Sequence, residues 1–360
     1  MHHGEYRQAG AADGGACQNV VLRRHGRPEG ARVSLAPNAK PHRMITKDDV
    51  AAARERIAPH IHETPLLRSL RLGERSGGVN LMLKCESFQR TGSFKVRGAL
   101  NAMMQLSHAD KTRGVVTVSA GNHAQALAWA SRLVGAECIT VMPETAPKSK
   151  IAATEEYGGT VELVAGERVR IFDRARAIEK EGRVMVHPFE DRNVAAGQGT
   201  VALEVLEQYP EVDAVVVPIG GGGLIAGMAA ALKELRPGIR VFGVEPEGAP
   251  TMRRSLDAGS PQQISPQTIA DGLAAPVVGE LTLEAVRRFV DDVVLVSDEE
   301  IVAALRDLAS FAKLVVEPAG AAAVAALLAG RVRVDRGAHV AAIVTGGNVD
   351  LERLRVFYQS

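Results

Sequence analysis

From Arg113 onward the chain alternates short β-branched runs with amphipathic stretches of helical period, and this alternation limits the fold more than any other feature. Gly114-Val-Val-Thr-Val-Ser reads as a strand and residues 122–133 as the helix after it. Glu137-Cys-Ile-Thr-Val-Met begins the next unit, with a helix over 147–157 that carries Pro147 in its first turn. Thr160-Val-Glu-Leu-Val and residues 169–180 repeat the pattern. It resumes with Asp213-Ala-Val-Val-Val-Pro, a helix over 224–235 and Arg240-Val-Phe-Gly-Val-Glu, and Val340-Ala-Ala-Ile-Val-Thr adds a strand near the C-terminus. Strand and helix in strict alternation mean right-handed crossovers, so the expected class is α/β with parallel sheets. At 360 residues the chain exceeds one ordinary core, which makes two doubly wound open lobes the expectation. Such lobes bind ligands beyond the carboxyl ends of their strands.

Composition excludes several function classes. Forty-three basic and 42 acidic side chains leave a net charge of +1, which offers no electrostatic footprint for nucleic acid or an anionic membrane. The apolar run 319–330 is too short to span a bilayer, and its alanines predict a helix packed closely inside the protein. Cys17, Cys85 and Cys138 show no metal or disulfide spacing, which points to a reducing compartment. Residues 1–43 lack apolar periodicity and read as a flexible extension. They are Arg-rich and acid-poor like a transit peptide, but Ser34 is their single serine and no amphipathic face is evident. Patterned sequence opens at Met44, a plausible start, with Thr46-Lys-Asp-Asp as a helix cap.

Four segments carry chemistry. Pro218-Ile-Gly-Gly-Gly-Gly-Leu joins an apolar strand to a helix, where backbone amides and the helix dipole attract an anion. A tight turn needs one or two glycines, so Gly220, Gly221, Gly222 and Gly223 point to a phosphate. The same loop matches GxGxxA, with Glu245 ending the next strand where a ribose-binding acid would lie, so a dinucleotide oxidoreductase competes. Thr91-Gly-Ser-Phe-Lys-Val-Arg-Gly-Ala sets Lys95 beside Phe94 and two positions before Arg97. A lysine desolvated near a cation loses proton affinity and can form a Schiff base, although most lysines are solvated surface groups. Ser119-Ala-Gly-Asn-His-Ala-Gln opens a helix after a strand, reading either as a carboxylate cradle or as an ordinary cap. Thr345-Gly-Gly-Asn-Val-Asp ends the last strand. Strand ends at Lys95, Ser119, Gly220 and Thr345 are expected to converge on one cleft.

In this order the four segments resemble the fold-type II pyridoxal-phosphate enzymes with a tryptophan synthase beta-like fold, and within them the threonine dehydratase and serine racemase branch. The likeness covers residues 44–360 and disfavours the dinucleotide reading. It implies a large cofactor domain of residues 44–112 plus 191–360 and a small substrate domain of 113–190. It also implies pyridoxal 5'-phosphate on Lys95, which would then act as base at Cα. Phe94 would lie against the ring, Asn122 on its phenolic oxygen, Thr345 at the pyridine nitrogen and the four glycines on the phosphate. Ser93, Ser119, Ala120, Asn122 and His123 would hold the substrate. Serine racemases carry a second serine where this chain has Ala120, which removes the acid/base of the opposite face and favours dehydration. Some relatives bind a monovalent or divalent cation where Glu245, the Ala249 carbonyl and Thr251 fall, and Thr251 in place of an acid weakens that set.

The implied activity is ammonia elimination from L-threonine and from L-serine. Rivals are a threo-3-hydroxyaspartate ammonia-lyase, with Arg170 or Arg174 meeting a second carboxylate, a serine racemase, and a cysteine synthase-like replacement enzyme. A cytoplasmic homodimer or homotetramer is implied. The chain ends soon after Gly347-Asn-Val-Asp, so no regulatory domain answering to isoleucine is expected.

Overall fold

A computed structural model describes residues 43–359 except 167. The expected N-terminal extension, with Cys17, lies outside them apart from Arg43. Ten strands occur among the described residues: β1 Leu66–Arg68, β2 Asn80–Cys85, β3 Val115–Val118, β4 Cys138–Pro143 and β5 Thr160–Val164. They continue with β6 Val184–Met185, β7 Ala214–Pro218, β8 Arg240–Pro246, β9 Asp292–Val296 and β10 His339–Val344. They form a six-stranded sheet in the order β1-β2-β10-β7-β8-β9 and a four-stranded sheet in the order β5-β4-β3-β6.

The small sheet is wholly parallel, and so is the large one except for β1, which runs antiparallel to β2 at the edge. The connection from β1 to β2 holds only the short helix Leu70–Arg75, too little chain for a parallel crossover. Every patterned strand expected from the sequence is present within a residue or so of its expected ends. β1, β2, β6 and β9 are additions to the expected set, and of these β1 and β6, at three and two residues, show no periodicity to read.

The first described helix, Lys47–Ile57, begins at a capping box in which Thr46 and Asp49 bond each other's backbone amides. Such a cap stabilises a helix end by about 1 kcal/mol. The alanine-rich stretch is the helix Pro318–Leu328, buried from Pro318 through Leu327. Small side chains let it press on the large sheet: a Cβ on Gly320 would come 2.5 Å from the Gly346 carbonyl oxygen. This close approach brings Glu317, at the head of the helix, up to the loop after β10.

Two core layers cover the large sheet. One contains the helix Gly223–Leu235 through Leu224, Ile225 and Met228, and the other contains Pro318–Leu328 through Val324 and Leu327. Parallel strands buried on both faces read as continuous apolar runs, as Ala214-Val-Val-Val does here. No described helix is long and apolar enough to cross a membrane. Cys85 and Cys138 are buried free thiols, and burial pushes them up to about 12 and about 11.

Candidate active site

The segments that carry chemistry leave the carboxyl ends of parallel strands and meet. Phe94 N–H donates to the Thr345 carbonyl at 3.2 Å, and Ser93 bridges Gly346. Lys95 Nζ donates to the Pro188 carbonyl at 3.1 Å, three residues after β6 ends. Phe189, next in the chain, stands against the glycine loop: a Cβ on Gly221 would lie 2.1 Å from its ring. Asn122 Nδ2 donates to Glu317 Oε1 at 2.7 Å, and Asn348 Nδ2 donates to Asn122 Oδ1 at 2.8 Å.

Lys95 opens the helix Lys95–Gln105. Lys95 is half-buried, with protein packed around its amine. Burial pulls its pKa from the usual amine value down to about 8, and the Glu317 carboxylate opposes that fall. Arg97 does not contribute as the sequence suggested. Residues two apart on a helix point in different directions. Arg97 turns into a buried cluster, where it bonds Glu86 at 2.8 Å and Glu204 at 2.6 Å. Lys84 joins through Glu204 at 2.6 Å, so two cations meet two carboxylates at a nearly dry site. Burial works against the charge on Glu204, but Arg97 and then Lys84 hold it below the usual range. This cluster anchors the Lys95 helix to β2 and to the helix Arg192–Gln208, and sequence reading missed it because its members are far apart in the chain.

The glycine loop turns into the helix Gly223–Leu235 with Gly222 at φ +91°, where a side chain would be strained. Its neighbours also demand glycine: a Cβ on Gly220 would meet the Gly272 carbonyl at 2.9 Å, and one on Gly223 would meet Phe189 Cα at 3.1 Å. The amides of Gly220, Gly221 and Gly222 have no acceptor among the described residues.

Ser119 Oγ accepts the Gly121 amide at 3.3 Å. The amides of Asn122 and His123, in the first turn of Asn122–Val134, have no acceptor among the described residues. The His123 ring is buried beside Lys95, and burial first, then that charge, drives its pKa down to about 3. A neutral ring whose Nε2 donates to the Val186 carbonyl at 3.3 Å leaves Nδ1 as a lone pair. Its imidazole therefore cannot donate to a carboxylate, whereas its backbone amide can. Ala120 is half-buried and brings no proton-transferring group. Thr345, immediately after β10, is buried.

A family profile described as pyridoxal-phosphate dependent enzyme matches residues 57–346. The chain belongs to that family. It is 44% identical over 318 residues to an L-threonine ammonia-lyase of Thermotoga maritima, which covers 86% of this chain and 77% of the relative. To the catabolic L-threonine dehydratase TdcB of Escherichia coli K12 it is 44% identical over 314 residues, 86% of this chain and 95% of the relative. Among solved structures, a maize serine racemase superposes with TM-score 0.84 at 40% identity, over 88% of this chain and 98% of that one. A T.th. threonine deaminase superposes with TM-score 0.80 at 42% identity, over 85% and 99%.

The residues present fit the family's cofactor. A phosphate needs donors without side chains in the way, and the unpaired amides of the glycine loop at a helix N-terminus supply them. A Schiff base needs a lysine with a depressed pKa, and Lys95 has one. Ser93 Oγ, two residues before that lysine in the chain, is buried with no hydrogen-bond partner among the described residues, which suits a polar ligand.

The expected cation ligands have other partners in this fold. Glu245 accepts the amides of Met252 and Arg253 at 2.7 and 2.8 Å, at the head of the helix Thr251–Ala258. The Ala249 carbonyl accepts the Thr251 amide, and Thr251 Oγ1 donates to the Ala275 carbonyl at 2.7 Å. A cation there would share its oxygens with a helix cap. Arg174 is committed to Glu162 and Glu181, and Arg170 is exposed. Glu317 and Asn348 are the site residues that sequence reading passed over. An acid before Pro318 reads as a plain helix cap, yet Glu317 caps nothing with its side chain.

Proposed function

We propose that the protein is an L-threonine ammonia-lyase that also accepts L-serine. The observation that carries this reading is Ala120 in the loop opposite Lys95. Ala120 has no group able to move a proton where the resemblance places the second acid/base of the racemases, which favours elimination over racemisation. The similarity to a curated ammonia-lyase and a curated dehydratase supports the same choice.

When bound, the cofactor withdraws the electrons left behind as Cα loses its proton. Lys95 would hold the cofactor and, released by substrate, take that proton as a neutral amine. The amides of Asn122 and His123, with the hydroxyls of Ser93 and Ser119, would hold the substrate carboxylate and fix Cα near Lys95. Phe94 would pack on the cofactor ring, the amides of Gly220 to Gly223 would hold its phosphate, and Asn122 its phenolic oxygen. Thr345 would offer the ring nitrogen a neutral hydroxyl, which suits a reaction whose leaving group carries the electrons away. In net balance the proton taken from Cα would leave with the β-hydroxyl as water, and the released enamine would take up water to give 2-oxobutanoate and ammonia, or pyruvate from serine. We place the enzyme in the cytoplasm as a homodimer or homotetramer by family resemblance, with residues 113–190 as the substrate domain. Gel filtration tests the assembly.

The test is product formation from L-threonine, L-serine and threo-3-hydroxyaspartate by wild type and Lys95→Ala. Wild type should give 2-oxobutanoate from threonine as its fastest reaction. Lys95→Ala should lose both turnover and the visible absorbance of lysine-bound cofactor. Turnover confined to hydroxyaspartate, or dependent on an added thiol, would overturn the substrate assignment.

A further inference from the structure

Asn122 is held at both ends of its amide. Asn348 Nδ2 donates to the Thr91 carbonyl at 2.7 Å and to Asn122 Oδ1 at 2.8 Å, so Asn122 must present oxygen to Asn348. Its Nδ2 therefore faces Glu317, which accepts one N–H at 2.7 Å, and a second N–H is left over. Glu317 is well placed to be an orienter and poorly explained as anything else. It sits at a helix N-cap without capping it, is 8% exposed, and among the described residues its side chain has one hydrogen bond, to Asn122. Its position is tightly set: its Oε1 lies 2.6 Å from where a Cβ on Gly346 would be, so the glycine after Thr345 makes room for it.

We propose that Glu317 is a positioning residue for the cofactor: it turns the free N–H of Asn122 into the cleft, and its charge sets how cofactor and Lys95 respond to pH. The inference rests on Asn122 meeting the cofactor, and it does not depend on which amino acid is the substrate.

The charged groups around Glu317 come from every element packed on it. Lys95 faces it from the large sheet's cofactor helix, and Lys150 from the helix Lys148–Glu156 beside the small sheet. Asp271 approaches from the turn Asp271–Leu273, itself bonded to Lys150 and Arg353. Burial is the largest influence on Glu317 and raises its pKa to about 7, with the Asn122 hydrogen bond and Lys150 opposing the rise and Asp271 adding to it. Below that pH the carboxyl is neutral, and above it a negative charge stands next to the group that binds the phenolic oxygen. The same charge props up the proton affinity of Lys95.

The test is a pH titration of the visible absorbance of the holoenzyme without substrate, for wild type, Glu317→Gln and Glu317→Ala. Glutamine still accepts from Asn122 but cannot ionise. Glu317→Gln should keep cofactor affinity within about threefold while losing the transition near neutral pH, a shift of at least ~10-fold in the apparent proton affinity of the band. Glu317→Ala should weaken cofactor binding about tenfold or more, because the amide of Asn122 then loses the acceptor at its Nδ2 end and is held only through Asn348. In an Asn122→Ala background the Glu317→Gln change should have little further effect on the band, since coupled residues are not additive. An unchanged transition in Glu317→Gln, or effects that add fully in the double variant, would overturn the proposal. Because no substrate is present, that result would leave the ammonia-lyase reading untouched.

Discussion

The Lys95 amine and the Pro188 carbonyl, 3.1 Å apart, link the cofactor helix of the large sheet to the chain leaving the small one. The bond also shows how protein packed on Lys95 lowers its proton affinity: a carbonyl stabilises the amine's proton far less than bulk water does.

Attachment of pyridoxal phosphate to apoenzyme should therefore rise with pH about a midpoint near 8, instead of near the ordinary amine value. The neutral amine is the nucleophile, so the rate climbs as the proton is lost and levels above that pH. Growth of the visible band in stopped-flow mixing, measured across pH, reads this directly. A midpoint near 10 would show that burial does not depress the lysine.

Gly221→Ala should damage the protein through packing before chemistry. Its Cβ would overlap the Phe189 ring at 2.1 Å, and overpacking of this kind costs about 1–3 kcal/mol. Adding Phe189→Ala should recover part of the lost denaturation midpoint. Cofactor affinity in the double variant, measured by dialysis against dilute cofactor, then isolates what the methyl group does to the phosphate cradle.

Lys84→Met should destabilise by about 3–5 kcal/mol, because Glu204 would keep a buried charge that Arg97 must share with Glu86. Pairing it with Glu204→Gln restores charge balance and should return much of the loss. Urea unfolding of the two single variants and the double variant checks this. Additive losses would mean that the four charges do not act as a unit.

Ala120→Ser should raise the ratio of racemisation to elimination on L-serine. The new hydroxyl would restore the group that serine racemases carry at this position, where Ala120 has none to deliver a proton. Chiral chromatography of the serine remaining after partial turnover measures the D enantiomer. Its absence would show that the loop lacks the geometry as well as the hydroxyl.

Much of this molecule was legible in one dimension because its cause is local. Apolar runs such as Ala214-Val-Val-Val determine buried parallel strands, and Thr46 with Asp49 determines a helix start. The glycines after Pro218 and the flanks of Lys95 were legible as an expected anion site and an expected Schiff-base lysine. Tertiary structure alone decided what surrounds those groups. Arg97 lies two residues from Lys95 in the chain yet answers to Glu86 and Glu204, because a helix turns successive side chains apart and burial forces a cation to find carboxylates. Glu317 lies 195 positions from Asn122 and meets it only because Gly320 and Gly346 let a helix press against a strand end. Desolvation, which pulls Lys95 down and pushes Glu317 up, depends on packing from all sides. The residue types set the chemistry the chain can perform, and the close approach of distant backbones sets the charge state in which they stand ready to do it.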